Sequence, residues 1–268
     1  MRAARTRFQN GTAIAVMLVV GGGCQPAHIV VRAERPALAP TTEAVLVLPG
    51  LGYPTEGSAD IARFAARLSD EGYDVFVPAY AERDSIDASA DVLLGFIDDH
   101  ALASYTHIHV FAYILGGVVL NRVLARRDMP NLASIVYDRG PLQERADVIV
   151  TTRLPLVAKA LIGQVVFELA ELESAPYEGS ARVGIIVENR ATWFVRLYER
   201  DARALGPITF APDALGQPLD DGIVVWLDHF EMYHRFDIVG DDVVHFFAHG
   251  RFRDESPRVA SDNDPFAW

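Results

Sequence analysis

Short runs of β-branched and apolar residues recur along this chain, and patterns with helical spacing separate them. Ala44-Val45-Leu46-Val47-Leu48 is apolar throughout and is ended by Pro49-Gly50. Asp74–Pro78, His107–Ala112, Leu132–Tyr137, Val183–Val187 and Ile223–Leu227 read as further strands. A strand that is apolar on both sides must be covered on both faces, and strands alternating with helices imply parallel pairing. The spacing of Ile61, Phe64, Ala65 and Leu68 predicts a helix over Ser58–Gly72, with Gly72 as its stop. Other helices are predicted over Ala88–His100, from the third run to about Arg127, over Thr192–Leu205 and over Gly240–Ala248. At 268 residues, half of them hydrophobic, the chain can build one large α/β domain. In such a sheet ligands bind beyond the carboxyl ends of the strands. The loops after Leu48, Val110, Tyr137, Val187 and Leu227 are therefore the ones to inspect.

Outside that core the chain divides further. Arg2, Arg5 and Arg7 precede a short apolar segment, Thr12–Val20, and then Gly21-Gly22-Gly23-Cys24. A charged start, an apolar stretch too short to span a bilayer and small residues at a break describe an export signal over residues 1–23. Small residues directly before a lone cysteine are similar to a bacterial lipobox, which implies lipidation of Cys24 and a place in the cell envelope. Gly21 departs from the apolar residue usual in that pattern, so plain secretion is the alternative. Residues 24–42 read as a tether and an edge strand, His28–Arg32, that hairpins through Pro36–Pro40. Residues 43–250 form the domain, 140–180 a mainly helical cap, and 251–268 a polar tail.

The formal charge is −12 and Lys159 is the sole lysine. With no basic cluster after the first seven residues, nucleic acid is excluded as a partner, because phosphate binding needs clustered cations. A single cysteine excludes an internal disulfide and a cysteine-based metal site. No cofactor is expected, and the histidine spacing compels no metal site.

The third strand and the helix after it meet at Ala112-Tyr113-Ile114-Leu115-Gly116. This resembles the nucleophile elbow of α/β-hydrolases, G-x-S-x-G, with Ile114 where the serine stands. The resemblance runs from about Ala44 to Ala248 and implies a mostly parallel central sheet, helices on both faces and a small helical cap. It also implies that Pro49-Gly50-Leu51-Gly52 is the oxyanion loop, with the backbone N–H groups of Leu51 and Leu115 as donors. The glycines serve close packing equally well.

His229 lies in Asp228-His229-Phe230-Glu231-Met232-Tyr233, after the last strand, where the resemblance places a catalytic histidine. Its orienting acid is either Glu188, after the Val183–Val187 strand, or Asp138, after the preceding one. Asp138-Arg139 reads equally as an ion pair, and Glu188-Asn189-Arg190 as a solvated loop. His234, His245 and His249 read as helix or loop histidines. Ser58 and Thr55 are the hydroxyls reachable in principle as replacement nucleophiles; Tyr113 is a poor one.

Three functions stay open for such a chain. One is a lipid-anchored binding or scaffold protein without catalysis. Another is an esterase or lipase-like hydrolase with a rearranged site. The third is a non-hydrolytic enzyme of the same fold. Leu154, Leu156, Val157, Leu161, Ile162, Val165, Val166 and Phe167 in the cap suggest an apolar or acyl ligand, although such a stripe also suits ordinary core.

Overall fold

The computed structural model describes residues 28–33, 43–51, 58–172, 176–211, 216–259 and 264–267. The strands are β1 Ile29–Val31, β2 Glu43–Leu48, β3 Asp74–Val77, β4 His107–Ala112, β5 Leu132–Arg139, β6 Arg182–Glu188 and β7 Asp221–Val225. They form one seven-stranded sheet in the order β1-β3-β2-β4-β5-β6-β7. Every pairing is parallel except that of β1 with β3.

The side-chain period of two sorts each central strand between two cores. Leu46, Leu48, Val110 and Ile135 face one side. There they meet helices α2 (Ile86–Asp99) and α3 (Ile114–Leu124) through Leu93, Phe96, Val119 and Leu120. Val45, Val47, Phe111 and Val136 face the other, against α1 (Ser58–Asp70) and α10 (Phe236–His249). The predicted α1 stripe of Ile61, Phe64, Ala65 and Leu68 is buried in full, and Phe64 stacks on Phe236 of α10 at 3.9 Å between ring centroids.

Residues 140–180 are mainly helical where described: α4 (Ala146–Arg153), α5 (Pro155–Leu161) and α6 (Val165–Glu171). They are tied to the loop after β3, since Val165 N donates to Arg83 O at 3.1 Å and Ile86 N to Glu168 Oε2 at 2.8 Å. The Thr192–Leu205 pattern resolves into α7 (Trp193–Leu197), capped by Thr192, and α8 (Glu199–Ala204). A one-turn helix, α9 (His229–Met232), follows β7.

Two expectations are corrected. The edge strand does not hairpin onto its successor: β1 pairs antiparallel with β3, Ile29 opposite Val77. The reason is that β3 and β4 already occupy both edges of β2. Helix α10 starts at Phe236, four residues before Gly240, because Phe236 and Val239 belong to its buried face. The polar tail expected from Arg251 packs on the domain over residues 251–258. Phe252 is fully buried against Phe246, its N–H donates to Asp221 Oδ2 at 2.8 Å, and Val224 N donates to Pro257 O at 2.8 Å. That segment covers the open edge of β7, which otherwise presents unpaired backbone groups. The signal segment, Cys24, Gly52, Thr55 and the Pro36–Pro40 connection lie outside the described residues.

Candidate acid–histidine site

Two strand ends and one helix start converge at the carboxyl edge of the sheet. Asp138 is not in the loop after its strand but in the strand itself, because β5 runs two residues past Tyr137. Glu188 likewise is the last residue of β6, and Asp138 pairs in register with Ile186 next to it. Asp138, Glu188 and Asn189 are buried, so this stretch is neither a local ion pair nor a solvated loop. The neighbouring arginines look elsewhere. Arg139 binds Glu144 at 2.6 Å, and Arg190 binds both oxygens of Glu231 at 2.7 and 2.9 Å.

His229 is held by local sequence. Asp228 caps α9 by accepting from the N–H groups of Phe230 and Glu231, while the Glu231 carboxylate accepts from the Asp228 N–H at 3.0 Å. This capping box, locked further by Arg190, sets the first residue of the turn. His229 Nδ1 lies 3.3 Å from Glu188 Oε1; the carboxylate is wholly buried while 22% of the imidazole side chain is exposed. Of the two acids named as alternatives, Glu188 is the one that contacts the histidine, and Asp138 lies beside Glu188. Ligand atoms of Asp138, Glu188 and His229 lie within 4.8 Å of one another.

The electrostatics follow from burial. Desolvation pushes the Asp138 carboxyl well above the usual carboxylate range, and the adjacent Glu188 charge pushes it further. Burial also raises Glu188, opposed by a hydrogen bond from Asp138. Burial lowers the His229 imidazole, opposed by the negative charge of Asp138. The consistent protonation state is a chain: protonated Asp138 donates to Glu188, and Glu188 accepts the His229 Nδ1–H. That tautomer leaves Nε2 as a bare acceptor. A methyl group on Gly50, in the loop after β2, would lie 3.9 Å from Nε2, so this nitrogen and the loop expected to bind an oxyanion face each other.

One residue with a place here carried no role in the sequence reading. Tyr233, one turn after His229, accepts from Gly50 N at 2.9 Å and stacks on Tyr113 with 4.3 Å between centroids. An aromatic four residues after the histidine is the signal that marks it, since i and i+4 share a helix face. Burial raises both phenols.

At the elbow, Ile114 is the first residue of α3 and Tyr113 its cap, with φ −67° and ψ 168°. Among the described residues the one non-glycine residue with positive φ is Ala101, at 49°. The turn at Ile114 thus lacks the strain of a nucleophile elbow. Left-handed backbone is costly for a β-branched side chain, and here the helix simply starts one residue early. Leu115 follows with its side chain in the core. Gly116 and Gly117 serve close packing: a Cβ on Gly116 would run into the Leu48 carbonyl, and one on Gly117 would lie 2.9 Å from the Tyr137 ring. Tyr113, Ile114, Gly117, Tyr137, Asp138 and Arg139 line a narrow cleft, which connects the elbow to the acid pair. Leu51 ends the described part of the loop after β2 and is half-buried. His234 pairs with Asp60 and His245 with the Arg251 carbonyl, away from the site.

No family model matches the sequence, and no curated protein matches it. Solved structures do. The chain is similar to the lipase BlEst2 of Bacillus licheniformis in its mature form, at 15% identity and a TM-score of 0.53, covering 81% of this chain and 98% of that one. It is also similar to the juvenile hormone epoxide hydrolase of the silkworm Bombyx mori, at 11% identity and a TM-score of 0.51, covering 83% and 73%. At such identities the likeness is one of fold. The chain has the α/β-hydrolase fold, with a mostly parallel sheet and helices on both faces.

Proposed function

We propose that this protein is an α/β-hydrolase-fold binding protein without covalent catalysis, taking a small apolar or acyl ligand. The observation that carries this reading is Ile114 at the first position of α3, on an unstrained turn. Isoleucine has no atom that can form an acyl-enzyme, and its side chain lies where a reacting carbonyl would approach. His229 and Glu188 form a base with nothing at the elbow to deprotonate. The hydroxyls shown beside it, Tyr113 and Tyr233, are phenols that burial keeps protonated. Leu51 and Leu115 remain in this reading as backbone donors toward an anionic ligand group. The helical segment 140–180, docked on the loop after β3, acts as the cap.

The test is hydrolysis of a short-chain activated ester by the purified protein and by His229→Ala. The reading expects no turnover in either, together with binding of a fluorescent fatty-acid analogue. Turnover that disappears in the variant overturns it in favour of a rearranged hydrolase.

A second reading has its own support. Burying two carboxyls beside a histidine is costly unless the group is used, and perturbed titrating clusters in clefts concentrate at functional sites. In that reading His229 Nε2 acts as a general base in a non-hydrolytic reaction without a covalent step. Exchange of deuterium at the carbon next to a ketone, lost in His229→Ala, is its expected signature.

The location is proposed from residues 1–24: export, lipidation of Cys24 and anchoring in the cell envelope. No helix among the described residues is long and apolar enough to cross a membrane. A Cys24→Ser variant that still fractionates with membranes defeats the anchor.

A further inference from the structure

We infer that Asp138, Glu188 and His229 form a binding site for one divalent first-row cation, of the Mn²⁺ to Zn²⁺ series. The inference concerns the chemistry of this cluster and stands apart from whether the protein turns over an ester.

Geometry is the first support. The three donors come from the ends of β5 and β6 and the start of α9, and their ligand atoms lie within 4.8 Å of one another. Bonds of about 2.0–2.2 Å to a central ion place donors roughly 3–4 Å apart. Closing the cluster onto an ion therefore needs shifts of under about 1 Å, within reach of carboxylate and imidazole rotations.

The second support is independent of the clustering. Asp138 is wholly buried, yet apart from a proton shared between the two acids no donor group among the described residues reaches either of its carboxylate oxygens or Glu188 Oε2. Three orphaned acceptor atoms at one point need a positive charge from somewhere, whether a proton or a metal ion. No guanidinium among the described residues supplies it: Arg139 is engaged by Glu144 and Arg190 by Glu231. Gly140 lets the Gln143 and Glu188 side chains pack against its backbone, since a Cβ there would run into Gln143 Oε1 and lie 2.8 Å from Glu188 Oε2.

The donor set selects the metal class. Two carboxylates and one imidazole suit Mn²⁺, Fe²⁺ or Zn²⁺ better than the all-oxygen shells of Ca²⁺, and the absence of thiolate disfavours soft ions. Asp138 lines a small cleft beside the cluster, and the His229 imidazole is partly exposed. The Glu144–Arg139 and Glu231–Arg190 pairs hold the strand-end and helix-start segments that carry the donors.

The experiment uses the purified full chain, stripped with chelator and dialysed against Zn²⁺ or Mn²⁺ alone. Bound metal is counted by elemental analysis, and thermal unfolding is followed with and without the ion. One ion per chain and a raised Tm are expected, with affinity reduced at least tenfold in Asp138→Asn, Glu188→Gln and His229→Ala. His245→Ala, which removes half of the surface pair with His249, leaves that stoichiometric ion in place. Binding lost in His245→Ala but kept in the three cluster variants overturns the inference, as does a stripped protein that takes up no ion. Should one cluster variant fail to fold by circular dichroism, the visible spectrum of the Co²⁺-loaded wild type decides. A spectrum unchanged by His229→Ala also overturns it.

Discussion

Asp138→Asn isolates the proton held inside the site. Asparagine keeps the shape of the side chain, and its amide replaces the carboxyl proton as donor to Glu188. In the unfolded chain an aspartate releases its proton near pH 4. In the folded protein, burial and the neighbouring Glu188 hold it to a higher pH. A carboxyl with a raised folded-state pKa means that the folded state binds more protons than the unfolded one above about pH 4, so stability falls as pH rises. For one proton the slope is at most about 1.4 kcal/mol per pH unit, and it ends where the folded carboxyl ionises. The variant has no such proton. Its stability relative to wild type should therefore climb with pH by up to about 1.4 kcal/mol per unit. The measurement is urea denaturation of both proteins at pH 5, 6, 7 and 8 in chelator, with equal m-values as the check on two-state behaviour. Asp147, pushed up to about 7 by burial, adds its slope to both proteins and cancels in the difference. Two stability curves that stay parallel over this range would refute the reasoning.

Other expectations are simpler to read. Gly116→Ala should destabilise by about 1–3 kcal/mol, because its Cβ meets backbone at Leu48, whereas Gly95→Ala, in open space on α2, should stabilise by up to about 1 kcal/mol. Phe252→Ala should cost about 3–5 kcal/mol in chemical denaturation if the segment after α10 belongs to the core. A loss below about 1 kcal/mol would refute that packing. Burial takes the His109 imidazole down to about 4. A lowered histidine stabilises the fold above the unfolded pKa, and that contribution is lost as pH falls from about 6.5 toward 4. His109→Gln should flatten this acid limb in a pH series of thermal melts.

The sheet was legible because each strand announces itself locally. β-Branched apolar runs such as Ala44–Leu48 pack in one way, and the helices between them leave parallel pairing as the arrangement that buries everything. His229 was legible for a similar reason: the Asp228–Glu231 capping box that positions it is encoded within four residues. The acid was not. Glu188 and Asp138 each follow an apolar run, and nothing local distinguishes a solvated carboxylate from one enclosed by three elements. The turn at Ile114 was half legible, since the missing hydroxyl is visible in the sequence but the relaxed backbone is not. The partner of β1 and the fate of residues 251–258 depend on which sheet edges remain open after the others have paired.

What the sequence alone determined about this protein is the alternation of elements, the two faces of the sheet and the loss of a hydroxyl at the elbow. These follow from side-chain period and residue chemistry, which act over a few positions. Tertiary structure alone decided that both acids gather beside one histidine, that no arginine among the described residues neutralises them and that the elbow carries no strain. Charge proximity and desolvation are properties of residues 41 to 91 positions apart in the chain brought to one point, as Asp138, Glu188 and His229 are. Their energies exist only once the fold has excluded water from between them.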